Sequence, residues 1–297
     1  MDFIAGIDGG GTKTTVLCRT LDGKELDRRQ FGAFNLNGIG EDAFRVLLDE
    51  MASFLCSLGT CRALCIGAAG ISNRTMSEMV SEAVTKAGIS KWSLVGDHEI
   101  AMCGALDGGS GICLIAGTGS ICFGRAEDGR LERAGGWGHL IGDEGSGYRL
   151  GHDVLAAVAK EMDGYGEKTI LTSLLQEKMG LKTRSDIISY VYSHDKSAVG
   201  AISPLVDDAV LCGDAVALAI VKDNADALVR LVCAVSKKLG FTKTQVALLG
   251  GLLSHTTCMR EVFVSLLRQA DPAKICIDPI HDAATGAVMM AGRLLNG

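Results

Sequence analysis

The sequence has few aromatic residues, few prolines and no excess of positive charge. Aromatic residues make up 5% of the 297 positions, so we expect cores of valine, leucine, isoleucine and alanine. Three prolines accompany 39 glycines, and 47% of residues are hydrophobic, which is typical of a compact protein and excludes a disordered one. The net charge of −6, with no cluster of lysine and arginine, argues against nucleic acid or an anionic membrane as a partner.

Long apolar runs and a disulfide framework are also missing. The apolar runs break at glycine well short of the roughly 20 residues that cross a bilayer, and no basic stretch precedes an apolar one near Met1. We therefore expect no membrane span or signal peptide, and a cytoplasmic location. The eleven cysteines are odd in number, and we expect buried thiols where they fall in apolar, strand-like runs. These cysteines are Cys18, Cys65, Cys113, Cys122 and Cys276.

The alternation of strands and helices repeats along the chain. Residues 3–31 read as three strands with a turn at Asp22-Gly23, and a helix, a strand, a second helix and a strand follow up to residue 95. From Gly111 the pattern begins again: Gly117-Thr118 matches Gly11-Thr12, and Asp128-Gly129 matches the first Asp-Gly turn. The sequence therefore predicts a duplicated α/β fold, with a helix-covered sheet in each half.

The repeat also predicts the domain organisation. We expect an N-terminal domain over residues 1–110 and a C-terminal domain over 111–282, with a helical insertion at about 146–210. The final helix, 283–297, is expected to pack on the N-terminal domain.

The segment "GIDGGGTKT" resembles a Walker phosphate loop but fails its spacing. Thr12 occupies the place of the lysine, and Lys13 comes one residue too late. The β-branched run from Thr14 predicts a strand, whereas a Walker loop must open a helix. Glycine-rich hairpin turns can still bind phosphate through inward N–H groups. We expect Gly10–Lys13 and Gly117–Gly119 to hold a triphosphate between the domains, with Asp8 organising a divalent cation through water; the alternative is two turns without ligands.

Three other segments carry candidate site residues. Asp97 follows a predicted strand and suits the general base of a phosphoryl transfer, or else the N-cap of a helix. Gly250-Gly251 ends a later strand and predicts either an approach for a nucleotide base or a plain turn. The stretch "GGWGHLIGDEGSGYRLG" pairs Trp137 with Asp143, an apolar ring and an acceptor of the kind that bind sugars. Its alternative is a self-packed loop, and Asn35 is a further candidate amide contact.

These motifs resemble a known family. The residues that carry the resemblance are "GIDGGGTKT", "FN", "AAG" at 68–70, "GD" at 96–97, "AGTGS" at 116–120, "GGWGHLIGDEGS" at 135–146 and "GG" at 250–251. They are similar to the sugar kinases of the actin, Hsp70 and hexokinase fold, and within them to the N-acetylglucosamine kinase / BadF-BadG-BcrA-BcrD ATPase group. The resemblance implies a duplicated RNase H-like fold with two domains and a central cleft that binds ATP and Mg²⁺.

The resemblance also assigns residues. It implies Asp97 as catalytic base and a homodimer. It implies an amino-sugar pocket lined by Asn35, Gly70, Trp137, Gly138 and Asp143. It implies ATP binding by Gly10, Gly11, Thr12, Lys13, Gly117, Thr118, Gly119, Gly250 and Gly251, with Asp8 holding the metal through water.

The implied activity is transfer of the ATP γ-phosphoryl group to the C6 hydroxyl of N-acetylglucosamine or glucosamine. Leu36 follows Asn35 where some family members have histidine and tryptophan, so N-acetylmuramic acid is an alternative acceptor. The rival activity within the superfamily is an ATP-driven electron-transfer activator of an acyl-CoA dehydratase or reductase. Such activators carry a cluster-binding cysteine just before the second glycine loop, where this chain has Leu114-Ile115.

Overall fold

The computed structural model describes residues 1–254 and 257–296, and the chain divides into two compact units. Unit 1 comprises Met1–Gly109 and Pro279–Gly297, and unit 2 comprises Ser110–Asp278. Backbone hydrogen bonds from Ile280 to Ala105 and from His281 to Gly104 attach the returning chain to the N-terminal part of unit 1.

The elements follow one another in the predicted alternation, starting with three strands. Residues 1–109 contain β1 Asp2–Gly9, β2 Thr14–Thr20, β3 Glu25–Phe31, α1 Leu36–Ile39, α2 Glu41–Leu58, β4 Thr60–Ala68, α3 Arg74–Lys86, β5 Trp92–Gly96 and α4 Asp97–Ala105. Residues 110–278 contain β6 Gly111–Ala116, β7 Ser120–Arg125, β8 Leu131–Gly135, α5 Gly147–Met162, α6 Leu171–Met179, α7 Arg184–Ser193, α8 Lys196–Gly200, α9 Pro204–Leu211, α10 Ala215–Leu239, β9 Thr244–Leu249, α11 Gly251–Ser254, α12 Cys258–Ala270 and β10 Lys274–Ile277. The last helix is α13 Ala283–Asn296.

The two sheets have the same topology. In unit 1 the strand order is β3-β2-β1-β4-β5, and in unit 2 it is β8-β7-β6-β9-β10. In each sheet the first two strands form an antiparallel hairpin, and the first strand also pairs in parallel with the fourth. The predicted duplicated α/β fold with one sheet in each half is therefore confirmed.

Helix α13 packs against β1 because both are lined with small residues at the contact. A Cβ atom on Gly6 would lie 2.4 Å from the backbone nitrogen of Val288, so only glycine permits this approach of helix to strand. Ala287 and Ala291 of the helix are buried against Ala63 and Cys65 of β4. The other face of this sheet is covered by α2 and α3, and their apolar residues form the larger core of unit 1.

The core of unit 2 is built around the long helix α10. Its buried face includes Val221, Leu228, Val232 and Leu239, which pack in one cluster with β6, β9 and α12. Helices α5–α9 lie in the sequence between β8 and α10, where the sequence predicts a helical insertion. Across the described ranges 1–254 and 257–296, no helix has both the length and the hydropathy to cross a membrane.

All eleven cysteines are free thiols. Cys18, Cys65, Cys113 and Cys122 are buried as predicted, and burial raises the pKa of Cys18 and of Cys113 to about 12. Cys276 is only partly buried, so the prediction for this residue is wrong. Its strand β10 lies at the edge of the sheet, where one neighbour is missing.

Candidate functional site

The first glycine turn connects the antiparallel strands β1 and β2. The Gly10 N–H donates to the Lys13 carbonyl at 3.1 Å, and the Phe34 N–H donates to the Gly10 carbonyl at 2.9 Å. Gly11, Thr12 and Lys13 are exposed at the tip. A strand follows the turn, as the β-branched residues predict, so the segment is a hairpin turn and not a Walker loop.

Two predicted acids lie at the carboxyl ends of unit 1 strands. Asp8 is near the end of β1, and burial raises the pKa of its carboxyl. The charges of Asp282 and Asp97 raise it further, while Lys13 opposes them. Burial and the charges of two neighbouring carboxylates therefore oppose the ionisation of Asp8.

Asp97 is the first residue of helix α4. Its Oδ1 accepts a hydrogen bond from the His98 N–H at 2.8 Å, and the contacts with His98 hold the pKa of the Asp97 carboxyl below its usual range. The N-cap is Gly96, whose N–H donates to the Glu99 side chain at 3.0 Å. The alternative role of Asp97 as N-cap is therefore wrong, and Asp97 is an ionised carboxylate at the end of β5.

Asp282 is an acid of this site that the sequence analysis missed. Burial raises the pKa of Asp282, but hydrogen bonds from Arg28 and Thr285 outweigh it and lower the pKa to about 2. Arg28 Nη1 donates to Asp282 Oδ2 at 2.6 Å, and the Thr285 N–H donates to Oδ1 at 2.9 Å. The sequence signal that could have identified Asp282 is its position directly before the small residues that begin the final helix, where an aspartate is typical of an N-cap.

Asn35 and Gly70 lie on separate turns of unit 1. The Asn35 side chain caps α1 by accepting from the Gly38 N–H at 3.2 Å, and its amide is exposed. Gly70 has a positive φ of 74° and open space around it. Among the hydrogen bonds of residues 1–254 and 257–296, none joins either residue to Asp97.

The second glycine turn, Gly117–Gly119, is fixed by the start of helix α5. The Gly117 N–H donates to the Gly119 carbonyl at 2.9 Å. The Gly147 N–H donates to the Gly117 carbonyl at 2.7 Å, and the Tyr148 N–H to the Thr118 carbonyl at 3.3 Å. The Thr118 side chain is left exposed at the tip.

A cavity of about 510 Å³ within unit 2 brings predicted ATP residues together. Gly117 and Thr118 of the second turn line it, as does Gly251. Gly250 does not line the cavity; it packs against the end of β6, where a Cβ would lie 2.2 Å from the Ala116 carbonyl oxygen. The lining residues that sequence reasoning missed include Gly200, Ser203, Asp207 and Thr257.

The loop after β8 holds a buried carboxylate and an exposed indole. Asp143 is 4% exposed and accepts a hydrogen bond from the Ser120 N–H at 3.4 Å, next to the second glycine turn. Trp137 is 67% exposed, and the Arg133 guanidinium lies 5.8 Å from the centroid of its ring. Gly138 has open space around it and accepts from the Gly142 N–H at 2.8 Å. The loop thus packs on itself with the Asp143 carboxylate buried, and it leaves the face of the Trp137 ring exposed, as a sugar site requires.

No direct metal cage accompanies these acids. Within residues 1–254 and 257–296, no group of three or more His, Cys, Asp or Glu residues could hold a metal ion. Asp8 remains the candidate residue for holding a divalent cation through bound water, and a cation there would favour the ionised form that its neighbours oppose.

Two curated relatives match the whole chain. It is 36% identical to the N-acetylmuramic acid/N-acetylglucosamine kinase of Clostridium acetobutylicum, over 98% of each chain. It is 30% identical to the N-acetyl-D-glucosamine kinase of Dictyostelium discoideum, again over 98% of each chain.

The fold also matches solved structures. A Chromobacterium violaceum protein with a provisional N-acetylglucosamine kinase assignment superposes with a TM-score of 0.76 at 24% identity, covering 97% of this chain and 98% of that one. The model of the BadF/BadG/BcrA/BcrD ATPase family matches residues 5–291. The resemblance seen in the motifs is confirmed, and the chain belongs to the BadF/BadG/BcrA/BcrD ATPase family.

Proposed function

We propose that this protein is an ATP-dependent amino-sugar kinase that uses Asp97 as its general base. The observation that carries the proposal is the ionised Asp97 carboxylate at the carboxyl end of β5, in a chain of this ATPase family. Phosphoryl transfer asks the protein for positioning, charge neutralisation and a carboxylate that accepts the proton of the acceptor hydroxyl. The contacts with His98 lower the pKa of the Asp97 carboxyl, so the group is ionised and free to accept a proton.

The phosphates are assigned to the two glycine turns. In unit 1, Gly10, Gly11, Thr12 and Lys13 form the first turn, and the exposed Gly11, Thr12 and Lys13 offer N–H groups and an ammonium at its tip. In unit 2, Gly117, Thr118 and Gly119 form the second turn, and the exposed Thr118 offers its hydroxyl at the tip. A Mg²⁺ ion held through water by Asp8 would neutralise phosphate charge, and it would also offset the repulsion that raises the Asp8 pKa.

The nucleoside is assigned to the cavity in unit 2. Its volume of about 510 Å³ lies within the range of small-molecule sites. Gly251 lines it directly, and its neighbour Gly250 packs against Ala116. Asp207 and Ser203 would supply polar contacts for the ribose or the base.

The sugar is assigned to Asn35, Gly70, Trp137, Gly138 and Asp143. We propose N-acetylglucosamine or glucosamine as acceptor, phosphorylated on the C6 hydroxyl. N-acetylmuramic acid is the second candidate, supported by the name of the Clostridium relative and by Arg133, a cation beside the Trp137 ring that would pair with a lactyl carboxylate.

An ADP-release assay over five sugars tests the proposal. The panel is glucosamine, N-acetylglucosamine, N-acetylmuramic acid, N-acetylmannosamine and glucose, with ATP and Mg²⁺ in excess. We expect an amino sugar to give the highest kcat/KM and ³¹P–¹H correlation to place the phosphate on C6. Release of ADP that no sugar stimulates would refute the kinase assignment.

The electron-transfer activator has less support. Cys113, the cysteine nearest before the second turn, is buried in β6, and burial raises its pKa to about 12. A thiol that stays protonated is a poor cluster ligand. A brown, oxygen-sensitive protein on purification would favour the activator instead.

We also propose a homodimer and a cytoplasmic location. Light scattering after gel filtration measures the mass of the particle against the 31.0 kDa chain. Fractionation of cells that express a tagged chain tests the location.

A further inference from the structure

The turn that carries Asp143 is held from two sides. On one side the Ser120 N–H donates to Asp143 Oδ1, and the Ser120 hydroxyl donates to the Glu144 carbonyl at 2.7 Å. On the other side the Gly145 N–H donates to the side-chain oxygen of Asn224 at 3.0 Å. Asn224 lies on α10, 79 residues away in the sequence.

Asn224 is a buried amide with every polar position in use. It is 3% exposed, and its Nδ2 donates to Asp153 Oδ2 at 2.9 Å and to the Ile220 carbonyl at 3.0 Å. These two acceptors fix the amide so that its oxygen faces the Gly145 N–H. A buried polar group with all its bonds made specifies one geometry, because any displacement leaves a buried donor or acceptor unpaired.

Asp153 keeps the side-chain amide of Asn224 in one orientation. Arg149 Nε lies 3.0 Å from Asp153 Oδ1, and His152 Nδ1 lies 3.2 Å from the same oxygen. Burial raises the pKa of Asp153, but the contacts with His152, Asn224 and Arg149 outweigh it and lower the pKa overall. An ionised carboxylate only accepts hydrogen bonds, so it always faces the NH₂ side of the Asn224 amide.

The turn also packs closely against α10 at Gly145. A Cβ atom on Gly145, whose φ is 74°, would lie 2.4 Å from Leu228 Cγ. The next residue, Ser146, caps α5 by accepting from the Arg149 N–H at 3.2 Å. The position of Asp143 is therefore set by α10 through Gly145 and by the start of β7 through Ser120.

We propose that Asn224 is a positioning residue for the sugar site, which fixes Gly145 and through it the carboxylate of Asp143. This inference rests on the proposed kinase function and on Asp143 as a sugar contact. Asn224 itself is 3% exposed and is not among the residues that we assign to the sugar. Its loss should weaken sugar binding more than ATP binding, because Gly145 adjoins Asp143 directly, whereas the second glycine turn keeps its bonds from Gly147 and Tyr148 of α5.

The test is the Asn224→Asp variant, which replaces the NH₂ donor by a carboxylate oxygen facing Asp153. Like charges at this distance repel, so the side chain should turn away and release Gly145. We expect the KM for the best amino sugar to rise about tenfold and the KM for ATP to change less than twofold, since misplacement of a contact by about 1 Å is costly. The double variant Asp153→Asn/Asn224→Asp restores a donor opposite an acceptor at the contact of residues 153 and 224, although not at the Ile220 carbonyl, and should recover part of the rise in the sugar KM.

Ser236→Ala is the matched control. Ser236 is a buried polar residue on the same helix, and its hydroxyl donates to the Phe241 carbonyl away from the turn. We expect a loss of thermal stability with the sugar KM unchanged. An equal rise of the sugar KM in the control would overturn the positioning role. An unchanged sugar KM in Asn224→Asp would overturn it too.

A binding readout separates this inference from the proposed function. The chain has two tryptophans, so Trp92→Phe leaves Trp137 as the reporter of the loop. Sugar titrations of its fluorescence should show about tenfold weaker binding in Asn224→Asp than in the parent. If no sugar is bound or phosphorylated by the parent, the kinase proposal fails, whereas a sugar-active parent with an unaffected variant refutes only the role of Asn224. Asp153→Asn, less buried, decides the question if Asn224→Asp does not fold, and should raise the sugar KM about threefold.

Discussion

Two glycine-to-alanine changes at the contact of β1 with α13 should have opposite effects on stability. At Gly6, a Cβ would lie 2.4 Å from the Val288 nitrogen and 2.7 Å from the Ala284 carbonyl oxygen. Ordinary contact begins at 3.4 Å, so the helix backbone has to retreat by about 1 Å. At Gly292, the nearest atom to a Cβ is Ile4 Cδ1 at 3.6 Å, which is ordinary contact.

Overpacking of this kind costs about 1–3 kcal/mol of unfolding free energy. Gly6→Ala should therefore lower the melting temperature by about 2–12 °C. Gly292 lies in the interior of helix α13, and alanine there loses less backbone entropy on folding than glycine does. Gly292→Ala should therefore stabilise the protein by up to about 1 kcal/mol. Urea unfolding followed by far-UV circular dichroism measures both variants. A Gly6→Ala protein as stable as its parent would refute the close approach of α13, and so would an equal loss in Gly292→Ala.

Three further outcomes follow from the site. Asp97→Asn should lower kcat by about 10²–10⁴ while ATP affinity, measured by calorimetry, stays within twofold of the parent; substantial turnover would rule out the base role. Arg133→Gln should lower kcat/KM for N-acetylmuramic acid more than for N-acetylglucosamine. Equal effects on the two sugars would show that Arg133 does not select between the acceptors. The pKa of Asp282 is lowered to about 2 from 3.8, so its contribution to stability is present above pH 3.8 and is lost as the pH falls through about 2. Arg28→Gln should flatten this part of the stability profile in acid unfolding, and an unchanged profile would contradict the pairing.

The sequence predicted what local patterns determine. The β-branched run from Thr14 to Cys18 sufficed to predict a strand after the first glycine turn, and the repeat at Gly117 predicted the second hairpin. It missed the short helix α1, because Asn37-Gly38 is typical of a turn. It offered α4 only as the alternative reading of Asp97 as an N-cap, because the residues that follow show little of the apolar periodicity that marks a surface helix.

Contacts between distant segments could not be predicted in this way. Arg28 and Asp282 are 254 residues apart, and Gly145 and Asn224 are 79 apart. Neither pair has a spacing that one sequence reveals, since the sheet and α10 bring them together. Asp207 and Ser203 belong to the cavity for the same reason: only the fold places helix α9 beside the second glycine turn.

The return of α13 to the first sheet has a consequence for biosynthesis. A ribosome completes the whole of unit 2 before it makes the helix that covers Leu17, Ala63 and Cys65. During that interval only α4, through Ile100, packs on this apolar face of the nascent first unit, so we expect chaperones that bind exposed apolar segments to occupy the rest of it. Release should coincide with emergence of residues 283–296 from the exit tunnel, and ribosome profiling of chaperone-bound nascent chains would record it.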